Sequence, residues 1–223
     1  MTADFPELRV KMVDGQVRTT DVTSLPLLTA MLSVPREDFV PEGRKALAYV
    51  DENTLISEKA GPGARYLMKA SPFAKLVQLA EIGPNDTVLD VGAGTGYSAA
   101  VLSRLAKKVV ALESDGALAD KAESTLAGLG YDNVSFVRGD LKAGHKAGAP
   151  YDAIVVEGSV DELPEALTAQ LAEGGRLVVV EGHGAAGVAL IYLKSNGVAT
   201  GRRVFNAAVK PLPGFERTPA FEF

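Results

Sequence analysis

The chain has 223 residues, 47% of them hydrophobic and 23% charged, with a formal net charge of −5 at pH 7. That length suits one large domain with a full core, and the acidic balance argues against nucleic acid as the main partner, which would need a basic face. There is no cysteine and there are only two histidines, His145 and His183, so disulfides, thiolate catalysis and cysteine-ligated metals are excluded and no metal site is expected. No run approaches the ~18 apolar residues of a membrane span. Met1-Thr2-Ala3-Asp4-Phe5-Pro6 has neither the basic segment nor the apolar stretch of a secretion signal, so a cytoplasmic location is expected.

In chain order, residues 1–20 are weakly patterned, with a short helix expected over 11–18. Ser24 offers an N-cap, with Pro26 tolerated in the first helical turn, and Leu25, Leu28, Met31 and Leu32 fall on one apolar face before Pro35 ends the helix. Residues 34–41 read as a proline-bounded loop anchored by Phe39 and Val40, and 51–66 as loop around Gly61-Pro62-Gly63. A helix is expected over 71–82, with Ser71 as cap, Pro72 as its first residue and Phe73, Leu76, Val77 and Ala80 as its buried stripe.

Thr87-Val88-Leu89-Asp90-Val91 then reads as a strand, Gly92-Ala93-Gly94-Thr95-Gly96 as a tight turn, and 97–105 as a helix. The glycines permit positive φ and let a ligand press on bare backbone, under the free N–H groups of the helix start. A second strand, 108–113, ends in Glu113, about twenty positions after the first glycine, where a carboxylate can accept from both hydroxyls of a ribose. Ser114 or Asp115 starts a helix closed by Gly128 and Gly130. Further strands are expected at 134–138, 151–157 (nearly all apolar, hence central) and 176–181, with a helix over 164–172. Segments 186–194 and 202–209, joined by Ser195-Asn196-Gly197, read as a terminal antiparallel pair. Alternating βα units of this kind build an open α/β sheet, whose ligands lie beyond the C-terminal strand ends. Asp90, the glycines, Glu113, Asp140 and Glu157 all fall on that edge. A dinucleotide fingerprint would carry a small residue where Tyr97 stands, which disfavours a nicotinamide dehydrogenase.

The Asp90 to Gly96 stretch resembles the first motif of the S-adenosylmethionine-dependent methyltransferases. Together with Val34-Pro35-Arg36-Glu37 … Phe39-Val40-Pro41 and Ala48-Tyr49 … Asp51, it resembles the protein-L-isoaspartate O-methyltransferase family, over most of 25–214. The resemblance implies a Rossmann-like α/β fold: a seven-stranded methyltransferase sheet, mostly parallel, whose last strand runs antiparallel, with helices on both faces. It implies a helical and loop extension over 1–70 packed on a core of 71–223. S-adenosyl-L-methionine is the implied cofactor, with Gly92, Ala93, Gly94, Thr95 and Gly96 approaching its methionine part and Asp90 and Tyr97 also implied as cofactor-binding. Glu113, beside Ser114, would hold the ribose, and Asp140, beside Leu141, the adenine amino group. Asp140 also reads as a plain turn aspartate, and Glu157 as cofactor-adjacent, substrate-adjacent or solvated.

The implied reaction is in-line methyl transfer to a carboxylate, already ionised near pH 7, on an isoaspartyl protein or peptide; the ester then collapses to a succinimide and allows repair. The family's Gly-Gln-Thr-Ile-Ser segment appears here, aligned on Pro72, as Leu67-Met68-Lys69-Ala70-Ser71, with the hydroxyl lost at 70 and Ser71 one place late. Ser71 is therefore a candidate for positioning substrate or simply a helix cap. Residues 139–142 and 157–161 also depart from the family pattern. These departures leave open another methyl acceptor, or a non-catalytic cofactor-binding or interaction module. His145 reads as a solvated loop residue, and His183 lies after the fifth strand close to the rim of the site, its role left open. Phe215, Phe221 and Phe223 are candidates to pack back on the core or to mediate contacts.

Overall fold

The computed structural model describes residues 4–58, 60–61 and 63–217. Helix α1 (Phe5–Met12) begins earlier than the sequence pattern suggests, because the Asp4 carboxylate accepts from the Glu7 N–H at 3.1 Å and Pro6 fits the first turn. It continues as a π-helical turn (Val13–Val17) and a 3₁₀ turn (Arg18–Thr20). Ser24 caps α2 (Leu25–Ser33) as expected, but the buried face is Leu27, Leu28, Ala30 and Met31, while Leu25 is 69% exposed. A small hairpin, β1 (Thr54–Leu55) and β2 (Tyr66–Leu67), stands where the sequence reads as loop.

Helix α3 (Ala70–Leu79) corrects the expected cap: Lys69 holds the cap position, without a side-chain bond, and Ser71 and Pro72 lie inside the first turn. The expected stripe of Phe73, Leu76, Val77 and Ala80 is buried.

The main sheet follows the βα reading. Strands β3 (Thr87–Val91), β4 (Lys108–Glu113), β5 (Val134–Arg138), β6 (Tyr151–Val160) and β7 (Leu171–Glu181) are parallel, and β8 (Val188–Ser195) and β9 (Val198–Asn206) complete the order β5-β4-β3-β6-β7-β8-β9. Helices α4 (Tyr97–Ser103), α5 (Gly116–Gly128) and α6 (Glu165–Ala169) connect them. Asp115, not Ser114, caps α5, its Oδ1 accepting from Ala117 and Leu118 N–H.

Helix α6 is shorter than expected because the chain re-enters the sheet at Leu171, opposite Tyr151. It then bends at Gly174 and Gly175, where a Cβ on Gly175 would stand 2.8 Å from the Ala172 carbonyl oxygen. Strand β8 is antiparallel to β7 and β9 to β8, so the reversed strand is the penultimate one rather than the last. Asn196 and Gly197 both take positive φ, as a two-residue hairpin turn requires. Strand β9 starts at once at Val198 because Gly201, which looks like loop in sequence, leaves its Cβ space to the ring of its cross-strand partner Tyr192.

Period-two alternation splits the core. Val88, Val109, Ala111, Ala153, Val155, Val178 and Val180 join α2, α3, α4 and residues from Met12 to Val40 on one face. Leu89, Val91, Val110, Leu112, Ile154, Val156, Leu177 and Val179 meet Leu141, Leu167, Leu212 and Phe215 on the other. Phe215 thus packs back on the core, 3% exposed; Phe221 and Phe223 lie outside the described residues. Among the described residues no helix is long and apolar enough to cross a membrane.

Candidate active site

The turn after β3 sits at the C-terminal edge of the sheet, and Gly92, Gly94 and Gly96 all adopt positive φ. Gly96 also lets α5 approach, since a Cβ there would lie 3.1 Å from Leu126. Thr95 is buried and donates its hydroxyl to the Phe39 carbonyl at 2.5 Å, and Ala93 is buried beside it. The Tyr97 ring turns into the core, edge-on to Phe39 at 5.9 Å, against Phe73, and 4.7 Å under the Arg36 guanidinium, so only its backbone belongs to the turn.

Asp90 is fully buried and accepts from the Ser98 hydroxyl at 2.7 Å through Oδ2, while Oδ1 has no partner. Burial pushes its carboxyl up to about 7, against the Ser98 bond, which favours the anion. A bulge in β6, between the pairings of Val155 and Ser159 with β7, re-aims Glu157 at this edge. Its Oε1 is sealed from solvent and unpartnered, and burial, with Asp90 nearby, holds its carboxyl well above the usual range.

Glu113 is completely buried. Its Oε1 accepts from the backbone N–H groups of Ser114 (2.8 Å) and Asp115 (2.9 Å), and its Oε2 from the Gly94 N–H (2.7 Å). The fourth donor comes from outside the βα unit: Arg65 Nη1 reaches Oε1 at 2.5 Å, while Arg65 Nη2 donates to the Gly92 carbonyl at 2.9 Å. Ser114 is exposed, yet it adds its hydroxyl to its backbone N–H in this cluster, Oγ lying 3.4 Å from Oε1.

The remaining candidates are more dispersed. Asp140 is exposed and accepts from the Lys142 N–H at 3.0 Å, the geometry of a turn aspartate, and Leu141 is buried on the second core face. Ser71 is half-buried, its hydroxyl 3.0 Å from Thr20 Oγ1, in a groove with Lys69, Lys75 and Phe205. His145 is half-buried with its backbone fixed by Gln170 and Tyr151. His183 is exposed and pairs with Asp161.

Two residues of weight escape a sequence reading. Arg36, inside the quoted Val-Pro-Arg-Glu run, is 1% exposed and ties the Ala48 and Met68 carbonyls together at 2.7 and 2.8 Å beside Tyr97. Its presence in the motif was the available signal. Arg65 follows a glycine-rich loop and carries no local signal at all.

An open, mostly parallel sheet with an alternating-glycine turn after one central strand and a buried acid at the tip of the next is a Rossmann-like arrangement, and the solved structure it resembles places it in the methyltransferase class. The chain belongs to the protein-L-isoaspartate O-methyltransferase family: a sequence model of the family Protein-L-isoaspartate(D-aspartate) O-methyltransferase matches residues 9–212. It is 42% identical over 178 residues to Protein-L-isoaspartate O-methyltransferase 1 of Rhodopseudomonas palustris (strain HaA2), covering 80% of this chain and 71% of that one. A solved protein-L-isoaspartate O-methyltransferase superposes with a TM-score of 0.78 at 28% identity, over 93% of this chain and 65% of that longer one. The fold is shared with a putative family member from Plasmodium falciparum, solved with S-adenosyl-L-homocysteine, at a TM-score of 0.76 and 22% identity over 95% and 99% of the two chains.

Proposed function

We propose that this chain is an S-adenosyl-L-methionine-dependent carboxyl O-methyltransferase acting on isoaspartyl residues of proteins or peptides. The observation that carries the reading is Glu113: a buried acceptor pair at the tip of β4, one oxygen bonded to the Gly94 N–H of the glycine turn. The available chemistry fits the cofactor. Glu113 can accept from two ribose hydroxyls, and the unpartnered Asp90 Oδ1 and Glu157 Oε1 offer acceptors to a cation. In this reading Gly92, Ala93, Gly94, Thr95, Gly96 and the Tyr97 backbone border the methionine part. Glu113 and the Ser114 backbone hold the ribose, and Asp140 and Leu141 the adenine.

When bound, the cofactor supplies an electrophilic methyl on sulfonium. The protein's work is orientation and exclusion of water, for which a well-held geometry contributes roughly 7–11 kcal/mol. No general base is required, because the acceptor carboxylate is ionised near pH 7. Residues 1–70 serve the core of 71–223 as an extension, and Ser71 is a candidate for positioning the substrate. A cytoplasmic location suits repair of soluble proteins; neither nucleic acid nor membrane is a partner.

The test is transfer of labelled methyl from S-adenosyl-L-methionine to an isoaspartyl peptide. We expect base-labile label on the isoaspartyl peptide and none on its aspartyl twin, with Asp140→Ala weakening use of the cofactor. Label appearing on cell extract but not on the isoaspartyl peptide would assign a different acceptor.

A further inference from the structure

We propose that Arg65, with Ile56 and Leu212 against the glycine turn, is a built-in competitor for the cofactor seat, so that cofactor binding requires Arg65 and Ile56 to withdraw. The inference rests on the cofactor reading above and goes beyond it, since it concerns what holds the seat before the cofactor arrives.

Glu113 is unevenly engaged as it stands. Its Oε1 is crowded by Arg65 Nη1, two backbone N–H groups and the Ser114 hydroxyl, its Oε2 takes the Gly94 N–H, and none of it reaches solvent. The same guanidinium bonds the Gly92 carbonyl with its other arm, so one side chain clasps both the acid and the turn. The bare backbone is also taken. A Cβ on Gly92 would lie 2.8 Å from Leu212 Cδ1 and 3.2 Å from Arg65 Nη2, and one on Gly94 would lie 2.7 Å from Ile56 Cδ1. A ribose diol that takes both oxygens of Glu113 therefore competes with Arg65 for Oε1.

The exchange is chemically even-handed. A buried ion pair gains little over its own desolvation, whereas a buried carboxylate stripped of donors is costly. Hydroxyl donors arriving at Glu113 meet its need, and Arg65 regains water. The moving part is small. Ile56 and Arg65 face each other across one hairpin, the Ile56 N–H donating to the Arg65 carbonyl at 2.9 Å, so both leave together. A cavity of about 480 Å³, lined by Ile56, Ala64, Leu118 and Lys121 among others, lies between these residues and α5, so Ile56 is not tightly packed on that side. Leu212 is held separately, its N–H on the Ser159 carbonyl at 2.8 Å.

The experiment is calorimetric titration of the full-length protein, its Arg65→Ala variant and its Leu212→Ala variant with S-adenosyl-L-homocysteine. A competing closed state populated about nine parts in ten weakens apparent binding roughly tenfold, so Arg65→Ala is expected to bind roughly tenfold more tightly than the parent. Melting temperature is the second readout: the variant without ligand melts lower than the parent, yet gains more on adding S-adenosyl-L-homocysteine. Leu212→Ala carries the same expected sign and serves if Arg65→Ala does not fold. Hydrogen exchange at the Ile56 amide should quicken in the parent on ligand binding. Equal or weaker binding by both variants, with the parent binding normally, overturns the competitor role alone. Absence of binding by parent and variants alike overturns the competitor role together with the cofactor reading.

Discussion

The glycine turn of 92–96 and the segment of 65–71 meet at one carboxylate but were built in opposite ways. The turn is assembled from neighbours in sequence: strand, glycines, helix and acid follow one another, and the Gly94 and Ser114 N–H groups reach Glu113 from within a single βα unit and its continuation. The segment arrives from 48 positions away to place Arg65 on the same carboxylate. In the turn each residue's part follows from backbone geometry. In the segment a residue's part depends on which side of the hairpin packs inward. The site therefore joins a locally encoded cradle to a globally encoded occupant.

Substitutions at the meeting point sharpen this contrast. Glu113→Gln keeps the shape but leaves the Arg65 guanidinium buried without its counter-charge. Calorimetry should show loss of S-adenosyl-L-homocysteine binding, and, with the open form about tenfold less populated than the closed one, losing the pair costs about 1.4 kcal/mol, to be read as a lower urea midpoint. Stability unchanged from the parent would mean that the two regions are not energetically joined at this residue.

Asp90 gives the next effect, through pH. Its folded-state pKa is raised to about 7, above the ordinary value near 4. The folded protein therefore holds this proton more firmly than the unfolded chain between about pH 4 and pH 7, so stability is highest at the acid end of that window and falls as pH rises through it. The full shift corresponds to at most about 4 kcal/mol. Asp90→Asn, which can still accept from Ser98, should flatten that part of the stability profile; a slope equal to the parent's would assign the proton elsewhere.

The smallest effect is expected at Ser71. Its hydroxyl meets Thr20 in a half-buried position, so Ser71→Ala should cost about 1 kcal/mol of stability or less. Methyl transfer to the isoaspartyl peptide should fall by a rise in KM with kcat kept, if the residue positions substrate. An unchanged KM would leave Ser71 a structural residue only.

Much of the fold was legible because parallel strands and their covering helices write themselves locally. Val109 to Leu112 alternate between the two core faces, and the Asn196-Gly197 turn announces its hairpin. Where a side chain from elsewhere decides, the pattern misleads. Gly201 belongs to a strand because Tyr192 covers it, and the chain returns to the sheet at Leu171 because Tyr151 pairs there. Ser71 lies inside α3 rather than capping it.

The sequence by itself determined the order of strands and helices from α3 onward, the positive-φ turn and the acid at the tip of β4, since each needs only neighbours along the chain. Only the tertiary structure decided what lies against that turn. Arg65, Ile56 and Leu212 reach it from separate segments, and a contact between distant segments exists only once the core has fixed their relative positions, so no local pattern of residues could have carried it.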